Sequence, residues 1–199
     1  MNKPTGRGRR AGNPDTRELI RTAARQRFLA EGYQSVTMRS IAADAGVDVA
    51  LVSYYFGSKR GLFGAALALN ANPTEIFQSV LAGDLDTLAV RLLRALLTAW
   101  DTPETGDPLR AYAVTATVDP HFSRLTREIV SREIVDRLAE RLGGPRAGHR
   151  AAAFIAQVVG IIFSRYVVRL EPIASMSADD VVRHLAPALR LVLQPTSAR

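Results

Sequence analysis

Cysteine is absent from the 199-residue chain, which excludes disulfides and thiolate metal sites. The three histidines, His121, His149 and His184, stand far apart and in no metal-ligand spacing. No uninterrupted apolar stretch reaches membrane-spanning length, and no apolar run follows the N-terminal charges as a secretion signal requires. A glycine-rich phosphate loop is also missing, since Gly6-Arg7-Gly8 precedes no strand. Asp179-Asp180 and Asp119-Pro120-His121 both fall where a helix is expected to begin, so charge–dipole stabilisation accounts for them without catalysis. These absences point away from an enzyme, a bound cofactor, a metal or a membrane, and towards a cytoplasmic protein. Lysine is scarce as well: Lys3 and Lys59 are the only two among 26 basic residues.

What is present is helical. At 47% hydrophobic, the chain can bury a substantial core in one helical domain or two contiguous ones. No strand alternation persists, and the spacing predicts an all-α fold. A first helix begins near Asn13-Pro14-Asp15, with Asp15 and Glu18 in capping-box spacing. It carries the apolar stripe Leu19, Ile20, Ala23, Ala24 and Phe28 and ends at Glu31-Gly32. Beyond residue 58, helices are expected at about 59–70, 73–82, 85–101, 108–118, 120–142, 147–169 and 177–193. Proline and glycine mark the breaks, and TPETGDP (102–108) reads as the most flexible interior segment. Residues 1–12 lack apolar periodicity and are expected to be a disordered basic arm. That leaves 13–58 as one unit and 59–199 as another.

The most informative stretch is 37–63, TMRSIAADAGVDVALVSYYFGSKRGLF. Thr37 can cap a helix in which Ile41 and Ala45 face inward and Ala42 is small enough for a close neighbour. Gly46 suits the left-handed conformation that ends a helix. Val47 fills the corner, Asp48 can cap the next helix, and Val52, Tyr55 and Phe56 pack it back on the first. This is a helix-turn-helix, a unit that places its second helix in the DNA major groove. The competing reading is an ordinary helical hairpin.

The order of a helix ending in Gly-Tyr, then Thr, the hairpin, Tyr-Tyr-Phe and Ser-Lys resembles the tetracycline-repressor (TetR) family of bacterial transcription regulators over about residues 13–70. The resemblance implies an N-terminal helix-turn-helix domain followed by a helical effector-binding and dimerisation domain. It implies that Thr37 and Lys59 touch phosphates and that Asp48, Val49, Ala50 and Leu51 face base edges. Tyr54 and Tyr55 would brace the recognition helix and bond phosphates. Ser53 departs from the usual tyrosine, and Tyr55 stands where histidine is common. Val49 and Leu51 give an apolar reading edge suited to thymine methyl groups, so recognition is expected to lean on these, Arg39 and DNA shape.

Charge fits that reading. Residues 1–60 hold eleven basic and five acidic side chains, a net +6 of the chain's +7. A membrane-surface patch is the competing electrostatic explanation. Arg7-Gly8-Arg9-Arg10 could enter a minor groove, or the tail could add only unspecific attraction to phosphate.

In the C-terminal part, residues 151–170 are apolar around nearly the whole helix, which requires burial on two sides. One side is expected to be the core and the other a second subunit, with Ala156 and Gly160 allowing close helix approach. Phe154, Val158, Ile161 and Ile162, with Val181, Leu185, Leu189 and Val192 of the last helix, are the candidate interface of a homodimer on a palindromic operator in double-stranded DNA. A central helix buried in a monomer is the alternative. Phe77, Leu81, Leu93, Leu96, Trp100, Tyr112 and Thr115 are candidates to line a pocket whose apolar lining suggests a hydrophobic or aromatic small molecule, and the resemblance implies an effector there. The helix starting at Lys59 is the expected lever between pocket and reading head. The alternative function is a helical small-molecule-binding protein whose helix-turn-helix is structural only.

Overall fold

The computed structural model describes residues 14–195, with side chains from Thr16 onward. The expected basic arm and the capping role of Asp15 lie outside the described residues. The elements are α1 (Pro14–Glu31), α2 (Met38–Asp44), α3 (Val49–Phe56), α4 (Lys59–Ala66), α5 (Pro73–Leu81), α6 (Leu88–Asp101), α7 (Pro103–Val118), α8 (Pro120–Ile129), α9 (Asp136–Leu142), α10 (Ala147–Ile162) and α11 (Ala178–Leu193). Among the described residues there is no strand. A π-helical segment, Val130–Val135, joins α8 to α9, and a second, Phe163–Val167, extends α10.

The N-terminal head is built on α1. Ile20, Ala24 and Phe28 are fully buried, whereas Leu19 of the expected stripe faces solvent. Phe28 meets Phe63 of α4 edge-on at 5.4 Å, and Tyr33 packs against both rings at 5.7 and 5.5 Å. Residues just after α1 are thus pinned to α4 by three aromatic rings. Arg27 of α1 grips the carboxylate of Asp44 at the end of α2, and its other nitrogen reaches Glu31 at 2.7 Å.

The body forms around α6, whose Leu88, Leu92, Leu93, Leu96, Leu97 and Trp100 are all buried. α5, α7 and α11 pack on it, and α10 packs on α9 and α11. One apolar core runs without a break from α1 to α11.

The expected flexible segment 102–108 is instead the first part of α7. Pro103 sits at the first helical position, where a missing N–H costs nothing. Pro108 lies inside the helix and cannot donate to the Glu104 carbonyl four residues back. Asn70 donates its Nδ2 to that carbonyl at 2.7 Å instead. Long-range chemistry thereby stabilises a helix that local signals argue against.

Residues 147–167, with a mean hydropathy of 1.3, are long and apolar enough to cross a membrane by length and composition alone, contrary to the sequence expectation. Two arginines in that stretch are buried and bonded to helix and loop ends. Arg150 donates to Leu193 O at 2.7 Å and Gly143 O at 2.6 Å. Arg165 donates to Ile173 O at 2.6 Å and Met176 O at 2.9 Å. Phe154, Ile155 and Val158 lie in the core between them, and about a third of the stretch is buried.

Candidate nucleic-acid interface and apolar cavity

The start of α2 is fixed by reciprocal caps. Thr37 Oγ accepts from the Ser40 amide at 3.0 Å, and Ser40 Oγ accepts from the Thr37 amide at 3.1 Å. Gly46 takes the left-handed conformation at φ +64°. Asp48 Oδ1 accepts from the Ala50 amide at 2.7 Å and caps α3. Ile41 and Val52 are fully buried and lock α2 to α3. Ser58 caps α4 in the same manner, its Oγ accepting from the Gly61 amide at 3.0 Å.

These anchors leave one edge of α3 facing outward. Val49 and Leu51 are each 38% exposed, Tyr54 is 79% exposed, and Ala50, Ser53, Arg39 and Thr37 also face solvent. These expected DNA-contacting residues are therefore accessible from solvent. Two stand differently. The Tyr55 hydroxyl is buried with no hydrogen-bond partner, so its ring braces the head and its oxygen faces no phosphate in this conformation. Lys59 is half-buried, its ammonium 4.5 Å from the centre of the Tyr33 ring and 3.3 Å from the Gln34 carbonyl. Burial lowers the Lys59 pKa, with Glu128 and Glu133 opposing that shift. Burial also pushes the Tyr33 phenol up to about 12, so the ring beneath Lys59 is neutral at physiological pH.

The head is held to the body by α8, a tie that sequence reasoning missed. Arg124 Nη2 donates to Leu29 O and Ala30 O, both at 2.9 Å. Glu128 accepts from the amides of Tyr33 at 2.9 Å and Gln34 at 2.5 Å. Gly32 lies beneath this carboxylate at φ +84°, and a Cβ there would come within 2.5 Å of it. No local signal marks Arg124 or Glu128, because their partners stand 94 or 95 positions away.

In the body, a cavity of about 330 Å³ opens between α5, α6, α7, α8 and α10. Phe77, Leu96, Trp100 and Tyr112 line it as expected, and Leu81, Leu93 and Thr115 do not. Leu93 is buried elsewhere in the core, Leu81 borders a surface hollow near Arg60, and Thr115 turns its hydroxyl to Ala111 O at 2.8 Å. The far wall comes from Val130 and Ile134 and from Ile155, Val158, Val159 and Ile162 of α10. Tyr112 Oη and Thr126 Oγ are hydrogen-bonded at 2.6 Å on the lining, and burial raises the Tyr112 pKa.

The candidate dimer face is displaced by this packing. Phe154, Val158, Val181 and Leu189 are buried within the protomer and cannot form an outer face. Ile161, Ile162, Leu185 and Val192 are half-buried. The outer edge of α10 instead shows Ala153, Ala156, Val159, Gly160 and then Phe163, and that of α11 shows His184, Ala188 and Leu191. The outer edge of α10 thus mixes small residues with the exposed Val159 and Phe163.

Comparison with known proteins agrees with this architecture. Residues 20–66 match the family described as bacterial regulatory proteins, tetR family. Residues 86–193, more than half of the chain, match the tetracyclin repressor-like C-terminal domain. A TetR-family regulator from Streptomyces coelicolor A3 is 35% identical, with 94% of this chain and 98% of that one covered and a TM-score of 0.48. The multidrug-binding protein EbrR, solved with proflavin, is 22% identical over 87% of this chain and 99% of its own, with a TM-score of 0.44. NalD from Pseudomonas aeruginosa, secondary repressor of the MexAB-OprM efflux pump, is 16% identical over 88% and 93%, with a TM-score of 0.40. No curated protein matches. On its head, its body and its identity to the Streptomyces regulator, the chain belongs to the TetR family of bacterial DNA-binding transcription regulators.

Proposed function

We propose that this regulator is a homodimeric repressor that leaves its operator when a small apolar molecule enters the cavity. The observation that carries the DNA-reading part is the outward edge of α3, where Val49, Ala50, Leu51, Ser53 and Tyr54 stand exposed on a helix locked by caps and Val52. With apolar groups on that edge, base reading rests on thymine methyl contacts, Arg39 and DNA shape, with Thr37 on the backbone. Pairing the outer edges of α10 and α11 with those of a second copy would present two recognition helices to a palindromic site about one helical turn apart. Lys59 would reach phosphate by leaving its seat on Tyr33.

The test is fluorescence anisotropy of the full chain on the DNA upstream of its own gene, beside a shuffled duplex, at two salt concentrations. Binding that survives the higher salt only on the native duplex supports specific recognition. Replacing Lys59 with Ala should weaken binding and lower the salt slope by about 1. Replacing Tyr54 with Ala should weaken it with the fold intact. Unchanged binding in both variants would favour a helix-turn-helix that is structural only.

A further inference from the structure

We propose that the cavity selects an uncharged ligand, largely apolar and carrying one hydrogen-bonding group that engages Tyr112 and Thr126. This inference rests on the reading of the cavity as the effector site. Its lining includes no charged side chain among the described residues, although the chain carries 45 charged residues in all. Asp101, next to the lining residue Trp100, is engaged by Tyr166 Oη at 2.9 Å and by Arg165. An ion entering would therefore lose its hydration with no opposite charge to meet it, which costs several kcal/mol. Tyr112 and Thr126 satisfy each other across 2.6 Å, and either oxygen can turn to a ligand group without leaving the other alone. Trp100, the only tryptophan, lies on the wall and reports occupancy directly.

Two matched pairs test the charge rule on the full chain, read by Trp100 emission at mildly alkaline pH. One is N-phenyl-1-naphthylamine against its sulfonate, 8-anilino-1-naphthalenesulfonate. The other is acridine against N-methylacridinium. The neutral member of each pair should bind tighter by roughly a hundredfold or more. Ala113→Leu, which narrows the cavity, should weaken both neutral probes. Tyr112→Phe should weaken acridine by roughly three- to tenfold. A charged member that quenches Trp100 as well as its neutral partner overturns the charge rule and leaves the effector site standing. No response to any of the four overturns both.

A separate set of contacts ties the cavity wall to the reading head. We infer that α8 carries the state of the cavity to the reading head. Thr126 and Val130 line the cavity, while Arg124 and Glu128, on the opposite side of the same turns, hold the backbone from Leu29 to Gln34. No residue of α4 lines the cavity. The π-helical segment follows at once, its Val130 and Ile134 on the cavity and its Glu133 3.4 Å from Arg60. Such segments interrupt the regular α-helical hydrogen-bond ladder and are frequent at functional sites.

Hydrogen exchange on the full chain, with and without whichever of the four probes quenches Trp100, tests the route. Exchange at the Tyr33 and Gln34 amides, which Glu128 accepts, should change by at least about threefold on binding. In Glu128→Ala the probe should still quench Trp100, and the change in residues 29–34 should vanish. A response confined to residues 59–66, or one at Tyr33 and Gln34 that survives Glu128→Ala, overturns the inference. So does the absence of any probe that binds.

Discussion

Thr37 and Asp48 each satisfy an amide that the start of a helix would otherwise leave without a partner. Thr37→Ala and Asp48→Ala should each lower stability by about 1 kcal/mol, measured by chemical denaturation. Gly61 is a sharper case. A methyl group there would collide with the Phe56 carbonyl, which is backbone and cannot swing aside. Gly61→Ala should therefore shift the α3–α4 junction and lower DNA affinity more than either cap variant, in the anisotropy assay. The caps, Gly46 and Val52 were readable in the sequence because their partners lie within a few positions. The seat of Lys59 on Tyr33 and the sealed hydroxyl of Tyr55 were not, because tertiary packing sets them.

At the scale of elements, the link from α1 to α2 depends on a titrating group. Arg27 holds the Asp44 carboxyl below its ordinary value of 3.8, chiefly by hydrogen bonding. A depressed carboxyl stabilises the fold above its unfolded value and ceases to do so as the pH falls through its folded value. Acid titration of the wild type should show that loss below about pH 4, and Asp44→Asn should show a flatter profile there. The α7 terminus behaves comparably without charge. Asn70→Leu should leave the Glu104 carbonyl without its donor and cost about 1 kcal/mol, read as a lower denaturation midpoint. Most helix ends could be read from Pro, Gly and Asn in the sequence. Residues 102–108 could not, because the group that rescues Pro108 comes from Asn70, 34 positions before the carbonyl it meets.

For the whole molecule, the two sides of α10 make different predictions. Gly160→Arg places a charge on the outer edge and should convert a dimer to a monomer, by analytical ultracentrifugation, with the protomer's stability unchanged. Phe154→Ala removes a fully buried ring and should cost about 3–5 kcal/mol. If Gly160→Arg leaves the mass unchanged, the proposed interface is in the wrong place. The all-round apolar pattern of α10 was visible in the sequence, but which side faced inward was not. That choice depends on the cavity wall, which four other helices complete.

The unbroken core from α1 to α11 also bears on how the molecule comes apart. A head with its own separate core could melt early and leave the body folded. Here Phe28, Phe63 and the leucines of α6 belong to one apolar mass, so heating should yield a single calorimetric endotherm for both regions. Anything that tightens the cavity then raises the temperature at which the α3 edge is lost. The protein's grip on DNA and its hold on a small molecule would fail together, as one phase change.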